Sequence, residues 1–449
     1  MTKINLKNMA DTHSKPKQKS MFKKFWLDVI LGTVFIFALL GFFSSFTAFK
    51  IFDIFDPIGE AFADMEMTDV VFSKLRDRPV VDDRVVLVNV GNRSRFEIAM
   101  MIDSINQFNP LAIGIDIFFD EPHLDDSIGD AFLATALSKV NNLVMPLKGL
   151  YDDSTGIAEA HVSWDPFNEN AEFAHVNLTT DAASQADLKM NRTILPQFPI
   201  GSGEDLYKVP AFGVKLASYI DPQASEKFLA RGNVEEVINY RGNIIDYGAT
   251  EFGSMFFALD HYQLLEQYYN ADLNQYERMY VPDFITGSIV IFCFMGDDLA
   301  DREALEDRYF TPLNATYVGR AFPDMYGGVI HANVISMVLN EDYIDQLTEW
   351  QTWLIAILVC FLNVLAFSWI YKRVPRWYDG ITKLIQALEF LGFVFLVIYI
   401  MEYYSLKLDL TYTLIVVAVV GDALEVYYGV VKNSMTREGR KELFRVSKI

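Results

Sequence analysis

The sequence contains almost no cysteine, with two among 449 residues. Cys360 lies in a long apolar run, and Cys293 lies in a short apolar segment, 288–295, that is typical of a buried strand. A disulfide between these two positions is implausible. Any folded domain of this chain therefore has to be stabilised by its own apolar core rather than by cross-links.

Basic residues are scarce in the middle of the chain. Residues 51–350 contain 19 Lys and Arg against 49 Asp and Glu, and the whole chain has a formal net charge of −21. The two flanks are consequently net basic, and a membrane between the acidic part and the basic flanks explains this division. Because so acidic a region repels phosphate groups, we expect no nucleic-acid partner.

Motifs of common enzymes are also missing. The sequence has no G-x-x-x-x-G-K-[ST], H-E-x-x-H or G-x-S-x-G segment and no protein-kinase signature set. Cys293 lies among apolar residues, which disfavours the low thiol pKa that a nucleophile needs. We therefore expect that the protein is not an enzyme and has no catalytic residue.

Long apolar runs, by contrast, are prominent. Four of them approach the roughly 20 residues that a helix needs to cross a bilayer: 25–46, 353–371, 384–401 and 410–431. Lysine and arginine clusters flank alternate ends of these runs, and the positive-inside rule then assigns both termini to the cytoplasm. The first run is interpreted as an uncleaved anchor, because its apolar core is long and no small-x-small cleavage site follows.

The spans divide the chain into a simple predicted organisation. Basic cytoplasmic tails are predicted at 1–24 and 432–449, and a folded domain is predicted outside the membrane at 50–350. The expected location is the inner membrane of a bacterium, with residues 50–350 in the periplasm and four helices in contact with the lipid bilayer.

The outer region alternates short apolar runs with amphipathic segments. Strands are predicted at 84–90, 112–119, 143–147 and 288–294, and helices at 95–107, 128–137, 211–219, 256–267 and 330–339. A polar region at 152–170 is interpreted as a surface insertion. The alternation predicts an α/β domain, with a mostly parallel sheet and flanking helices, joined to four transmembrane helices.

Eight short segments follow one another in this region in a distinctive order. They are VVLVNV from residue 85, IGIDIFFDEP from 113, FAHVN from 173, VPAFG from 209, INYRG from 238, SIVI from 288, YFTPL from 309 and GGVIHAN from 327. The series resembles the second class of CHASE domains (CHASE2), the cyclase- and histidine-kinase-associated sensory extracellular domains of bacterial receptors. The resemblance implies a sensory role and a module of three membrane helices after the domain.

One acidic cluster follows the strand predicted at 112–119, where open α/β sheets tend to bind ligands. Its side chains are candidate ligands of a divalent cation or a small molecule: Asp116, Asp120, Glu121, His123, Asp125 and Asp126. The alternative is structural, with Asp125 capping the next helix and Asp116 bonding backbone amides. A second acidic run at 297–307 is interpreted as a solvated loop. No further cofactor is predicted.

A histidine near the end of the outer domain is a second candidate. His331 follows two glycines in the segment that leads back to the membrane. It is a candidate sensor of pH or ligand, because imidazole changes charge near neutral pH. The alternative is a structural, hydrogen-bonded histidine.

Polar residues inside the predicted spans form the third candidate set: Asn363, Glu389, Asp422 and Glu425. A carboxylate at the centre of a bilayer costs about 2–3 kcal/mol unless it is paired or hydrated. No lysine or arginine of this chain is expected deep enough to pair with them. Three explanations remain open: protonation within the bundle, a basic residue on a partner helix, or a proton or ion path.

These observations lead to one functional hypothesis and two alternatives. Family receptors usually continue into a cytoplasmic kinase or cyclase, whereas 18 residues follow Val431 here. We therefore expect a sensory or adaptor subunit that relays its signal to a separate membrane or periplasmic protein, and we expect it to be an oligomer. The alternatives are a structural subunit of an envelope complex and, less well supported, an ion- or proton-conducting subunit.

Overall fold

A computed structural model describes the chain in nine stretches. These are residues 16–44, 68–152, 157–180, 190–244, 254–270, 275–278, 283–299, 304–314 and 322–432. Two compact units are present: one comprises 65–345, and the other comprises 1–64 with 346–449. The first is called here the outer domain and the second the membrane unit.

The described strands all belong to the outer domain except for the short pair that includes β18. They are β1 Val85–Asn89, β2 Ala112–Asp116, β3 Leu143–Asp152, β4 Ile157–Val162, β5 Ala171–His175, β6 Thr193–Ile194, β7 Gln197–Ile200, β8 Tyr207–Pro210, β9 Glu236–Val237, β10 Asn243–Ile244, β11 Ser254–Asp260, β12 Gln267–Asn270, β13 Gln275–Arg278, β14 Ile289–Cys293, β15 Arg308–Tyr309, β16 Met325–Tyr326, β17 Asp345–Gln346 and β18 Leu406–Lys407.

The α-helices follow the same chain order. They are α1 Pro16–Ser44, α2 Arg95–Asn106, α3 Ser127–Ser138, α4 Phe212–Ile220, α5 Pro222–Ala230, α6 His261–Leu265, α7 Gly327–Leu339, α8 Glu349–Arg373, α9 Tyr378–Tyr404 and α10 Thr411–Val426. Single turns of other helix types lie at Val71–Leu75, Asp165–Phe167, Gly203–Asp205, Asp283–Ile285, Pro375–Trp377 and Tyr427–Lys432.

A central sheet organises the outer domain. Its strand order is β10-β11-β1-β14-β2-β3-β4, and β5 also pairs with β3. All of these pairs are parallel except β3 with β4. The inner strands β1 and β14 are buried along their whole length, as expected for apolar strands covered on both faces. The predicted mostly parallel α/β sheet is thus confirmed.

Alternate side chains of the central strands contact helices on opposite faces. On one face, Ile113 and Val290 share a core with apolar residues of α2 and α3. On the other face, a side chain at Gly114 would collide with Phe212 of α4, and one at Gly328 of α7 would collide with Cys293. The two glycines therefore permit α4 and α7 to approach the sheet closely.

Two local predictions for the outer domain are wrong. The helix predicted at 256–267 is instead β11, which ends at Asp260 and is followed by the short helix α6. The region 152–170, interpreted as a surface insertion, contains β4, which pairs antiparallel with β3. At β11, long-range pairing with β1 determines the structure, and local periodicity carries no signal of that pairing.

Four helices among the described residues have the length and apolar composition to cross a membrane. They are Lys24–Phe42, Glu349–Arg373, Pro375–Tyr404 and Thr411–Lys432. All four overlap the predicted spans, and the second and third extend beyond them at both ends. Within the membrane unit, α1, α8 and α10 share a core that includes Val29, Ile36, Cys360, Val364 and Val420.

Candidate functional site

The candidate site lies at the carboxyl edge of the central sheet, between β14 and β2. Their last residues, Cys293 and Asp116, are paired neighbours in the parallel register. The helix after β2 covers one face of the sheet, and α7, the helix that follows β14, covers the other. Neighbouring parallel strands whose helices diverge in this way leave a crevice at their carboxyl ends, which is where open α/β sheets bind ligands.

One polar cluster at this edge is fully hydrogen-bonded. Asn89, the last residue of β1, donates through Nδ2 to Asp260 Oδ1 at 3.2 Å and to the Gly296 carbonyl at 3.1 Å. Its Oδ1 accepts from the Met295 amide at 2.8 Å and from the Gly91 amide at 3.1 Å. Every polar atom of this buried amide is occupied, so the Asn89 cluster joins β1, β11 and β14 as a structural element.

A second polar cluster at the same edge, around Asp116 of β2, is not fully hydrogen-bonded. Asp116 Oδ2 faces His331 Nε2 at 3.9 Å, which is too long for a hydrogen bond. His331 is 1% exposed, and its Nδ1 atom accepts and donates no hydrogen bond within the described residues. The Asp116 carboxyl likewise makes no hydrogen bond to any residue that the structure describes. Such groups cost free energy when they are buried, so this pair is a candidate ligand site.

The backbone of the next segment brings a second carboxylate towards this pair. Asp307 has a left-handed backbone conformation, with φ of 53°, and its carbonyl accepts a hydrogen bond from the Gly327 amide at 3.1 Å. A Cβ atom at position 327 would lie 2.9 Å from Asp307 Oδ2, so the first residue of α7 has to be small. The Tyr309 hydroxyl bonds to Asp307.

Burial and like charge control the protonation of this Asp116 cluster. Burial, and then repulsion by Asp307, raise the pKa of Asp116 to about 8. Burial, with a further contribution from His175, lowers the pKa of His331 to about 3. Burial also raises the pKa of the Cys293 thiol, and both aspartates contribute to that rise. At neutral pH, Asp116 therefore holds a proton and His331 is uncharged.

This arrangement favours a particular kind of ligand. A positively charged group would lower the pKa of Asp116 and release its proton, because the ionised carboxylate would gain an opposite charge. Hydrogen-bond donors would also satisfy the carboxylate and the unprotonated nitrogen of the neutral imidazole. The crevice is therefore suited to a small cationic or donor-rich ligand, and its occupancy is linked to proton release.

The family assignment rests on the match between the chain and a family model. The model of the CHASE2 domain matches residues 63–367, which include the whole outer domain and most of α8. The chain belongs to the CHASE2 domain family. Members of this family are extracytoplasmic sensory domains. No curated protein and no solved structure matches the chain.

The other residues of the predicted cation cluster lie apart from Asp116 in the CHASE2 domain. Asp120 pairs with His161 at 3.0 Å, and Asp126 caps α3 by accepting from the Gly129 amide at 2.9 Å. Glu121, His123 and Asp125 are exposed. Among the described residues, no group of three or more His, Cys, Asp or Glu side chains is arranged to hold a metal ion. The loop after β2 runs over the surface, which separates these side chains.

Two site residues of the CHASE2 domain were not anticipated from the sequence. Asp307 lies in the acidic run that was interpreted as a solvated loop, and it is instead partly buried beside Asp116 and Tyr309. Cys293 was expected only as a core residue. For His331, the structure shows a buried ring whose Nδ1 atom has no hydrogen-bond partner within the described residues.

In the membrane unit, two carboxylates have lysine partners. Asp28 Oδ2 on α1 lies 3.2 Å from Lys372 Nζ and 2.5 Å from Lys432 Nζ. Asp422 on α10 pairs with Lys383 on α9 at 2.6 Å. For Asp422, the expectation that no basic residue of this chain can pair with it is wrong, because a lysine side chain is long enough to reach inward from the end of a helix.

Proposed function

We propose that this protein is a membrane-anchored sensory subunit that receives a signal in the crevice between β14 and β2 and relays it to a separate protein. The observation that carries the proposal is the buried Asp116–His331 pair, which lacks hydrogen bonds to the described residues at the ligand-binding edge of the sheet. A ligand with a positive charge or several donors would satisfy both groups. Membership of an extracytoplasmic sensory family supports the same role.

Helix α7 is the element that we expect to carry the signal. His331 lies in its first turns, and Asn340 caps its other end. All residues from Gly327 to Val338 are buried, and the Asn333 side chain ties the helix to residues 241 and 242 through hydrogen bonds of 2.8–3.3 Å. A ligand that displaces His331 would therefore displace the helix as a rigid element.

The segment after α7 is held by charged contacts before the chain enters α8. Lys227 pairs with Glu341 at 2.6 Å, Arg231 pairs with Asp345 at 2.8 Å, and Arg241 pairs with Asp342. Helix α8, the first after the domain with the length to cross a membrane, begins at Glu349. In the proposed relay, a movement of α7 alters these exposed pairs, each of which contributes about 0–1 kcal/mol and is easily exchanged.

The test is purification of the full chain from its native membranes in mild detergent, followed by mass spectrometry of the proteins that accompany it. We expect a stoichiometric membrane or periplasmic partner with the wild type and a changed amount of that partner with Asp116→Asn, which keeps the shape of the acid but cannot ionise. Asp120→Asn, an exposed position outside the crevice, is the matched control. Recovery of the chain as a lone homo-oligomer would contradict the relay to a separate protein.

A docking subunit of a larger envelope complex is a second candidate, favoured by an apolar patch on α2 and α3. Phe96 and Phe132 make an edge-to-face contact with ring centroids 4.9 Å apart, although they are 36% and 51% exposed. Ile128 and Leu124 beside them are 67% and 92% exposed. A partner that is lost with Phe132→Ser and retained with Asp116→Asn would favour docking over sensing.

A further inference from the structure

Three polar side chains meet on two helices of the membrane unit. Gln386 and Glu389 lie three residues apart on α9 and therefore share one face of that helix. Asn363 of α8 lies within hydrogen-bonding reach of the Glu389 carboxyl. Asn363 is 3% exposed and Gln386 is 6% exposed, whereas Glu389 is partly exposed at the surface of the bundle.

The hydrogen-bond donors of these side chains are already in use. Gln386 Nε2 donates to the carbonyls of Val417 at 2.6 Å and Ala418 at 3.0 Å on α10, which fixes the orientation of the amide. Asn363 Nδ2 donates to the Val359 carbonyl at 3.3 Å, one turn earlier in its own helix. Both amide oxygens therefore point away from these carbonyls.

The acceptors, by contrast, are unmatched. Asn363 Oδ1, Gln386 Oε1 and Glu389 Oε2 are all buried atoms, and no donor from the described residues bonds to them. Nor does Glu389 form an ion pair within the part of the chain that the structure describes. Three lysines of the membrane unit are instead paired with Asp28 and Asp422.

We propose that Asn363, Gln386 and Glu389 bind the ammonium group of a lysine on a membrane helix of a partner protein. An ammonium group has three donors, no acceptor and one positive charge. The site offers three acceptor oxygens, one of which belongs to an ionisable carboxyl that Asn363 can reach. Since a lone carboxylate and a lone ammonium are both unfavourable within a bilayer, bringing them together satisfies both.

The number of ligands argues for an ammonium group rather than a metal ion. Hard cations such as calcium and magnesium take about six to eight oxygen ligands. The site supplies three side-chain oxygens, and the described residues include no cluster arranged for a metal. Glu389 is also the most exposed of the three, so a side chain can reach it from the lipid-facing side of the bundle.

The inference does not depend on the crevice of the CHASE2 domain, and its test uses a different readout. The full chain is reconstituted in lipid vesicles with synthetic leucine helices of about 23 residues, long enough to span the bilayer. The central residue of the helix is lysine, glutamine or leucine. Association with the chain is measured by resonance energy transfer, and the lysine is shifted over one helical turn to sample its depth.

The lysine helix is expected to bind the wild type at least tenfold more tightly than the leucine helix, a difference of about 1.4 kcal/mol. Glu389→Gln, which preserves the shape of the side chain, should abolish this preference, and Asn363→Leu should weaken it. Glu425→Gln, an exposed carboxyl on α10, is the matched control and should bind like the wild type.

Two results would overturn the proposal. One is equal binding of the lysine and leucine helices at every lysine position, or an unchanged preference in Glu389→Gln. The other is stabilisation of the wild type, but not of Glu389→Gln, by sodium chloride without any peptide, which would identify a cation site instead.

Discussion

Two polar clusters at the same edge of one sheet differ in a single respect. The Asn89 cluster, which joins β1, β11 and β14, uses every donor and acceptor of its central amide. Asp116 and His331, between β14 and β2, face each other at 3.9 Å and form no hydrogen bond with the described residues. Asn89 and His331 are both buried, and the Asp116 side chain is 12% exposed.

The difference separates a structural role from a functional one. A saturated cluster stabilises the fold and has no capacity left for a ligand, whereas an unsaturated one destabilises the fold until something satisfies it. The same comparison extends to the membrane unit, where Asp28 has two lysine partners and Glu389 has none among the described residues. The following substitutions test whether the number of hydrogen-bond and ion-pair partners determines how much each polar group contributes to stability.

The largest loss of folding stability is expected for a substitution in the fully hydrogen-bonded Asn89 cluster. Asn89→Ala removes four hydrogen bonds and leaves buried backbone groups without partners, which should lower the free energy of unfolding by about 3 kcal/mol. The measurement is urea denaturation of the full chain in mild detergent, followed by far-ultraviolet circular dichroism.

Asn92→Ala is the matched control, because Asn92 lies on the same edge but is exposed and bonds only to Asp297. Its effect should stay within about 0.5 kcal/mol. An equal loss in the free energy of unfolding for the two variants would show that the Asn89 cluster does not stabilise the packing of β1, β11 and β14.

Removing the charge of Asp116 should stabilise the protein, and the gain should depend on pH. The folded pKa of about 8 exceeds the usual aspartate value. The folded state therefore binds the proton more tightly, and the stability present below pH 4 is lost as pH rises towards 8. Asp116→Asn cannot lose a proton, so its advantage in stability over the wild type should grow steadily over this pH range.

Asp120→Asn, which replaces an exposed carboxyl outside the Asp116 cluster, is the control variant. The measurement is the midpoint of urea denaturation between pH 4 and 9. A pH-independent difference between Asp116→Asn and the wild type would mean that the folded protein does not hold a proton on Asp116.

For His331, we expect a smaller effect on stability than for Asp116, with the opposite dependence on pH. The folded pKa of His331, about 3, lies below that of an unfolded histidine. Its contribution to stability is therefore present above about pH 6.5 and is lost as pH falls towards 3. In His331→Asn, the free energy of unfolding should therefore change less steeply with pH in this acid range. The comparison with the wild type is between these slopes rather than between absolute stabilities.

Some slope should remain in His331→Asn, because burial also lowers the pKa of His175 to about 4. An unchanged slope in His331→Asn would assign the acid sensitivity to His175 alone.

Much of the fold could be predicted from local patterns in the sequence. The apolar runs at β1, β2 and β14 are short, rich in β-branched residues and separated by amphipathic helices, and a parallel sheet follows from that alternation. The helix predicted at 95–107 from its apolar spacing matches α2, and the structure adds a capping box of Ser94 and Glu97 at its start. Strand β11 was missed, since its apolar residues also fit a helix.

The candidate site was predicted only in parts. Asp116 and His331 were each singled out, one for following a strand and the other for following two glycines. Their contact depends on β14 pairing between β1 and β2, which is a property of topology rather than of any local segment. The same reasoning explains why Asp307 was assigned to solvent, because its burial depends on contacts with residues distant in sequence.

The smallest effects are expected for the lysine-paired carboxylates of the membrane unit. Asp28→Asn should lower stability by about 1–2 kcal/mol, because Asp28 is 14% exposed and bonds two lysines from different parts of the chain. The measurement is thermal unfolding of the full chain in mild detergent, with helix content as the readout.

Asp422→Asn is the matched comparison, because Asp422 and Lys383 are 60% and 50% exposed and form one pair. An exposed pair contributes about 0–1 kcal/mol, so this variant should lie close to the wild type. If Asp422→Asn is as damaging as Asp28→Asn, the number of partners does not determine the contribution of a carboxylate in this bundle. The contrast between saturated and unsaturated groups would then hold only for the CHASE2 domain, where the low dielectric of a protein core, rather than lipid, surrounds them.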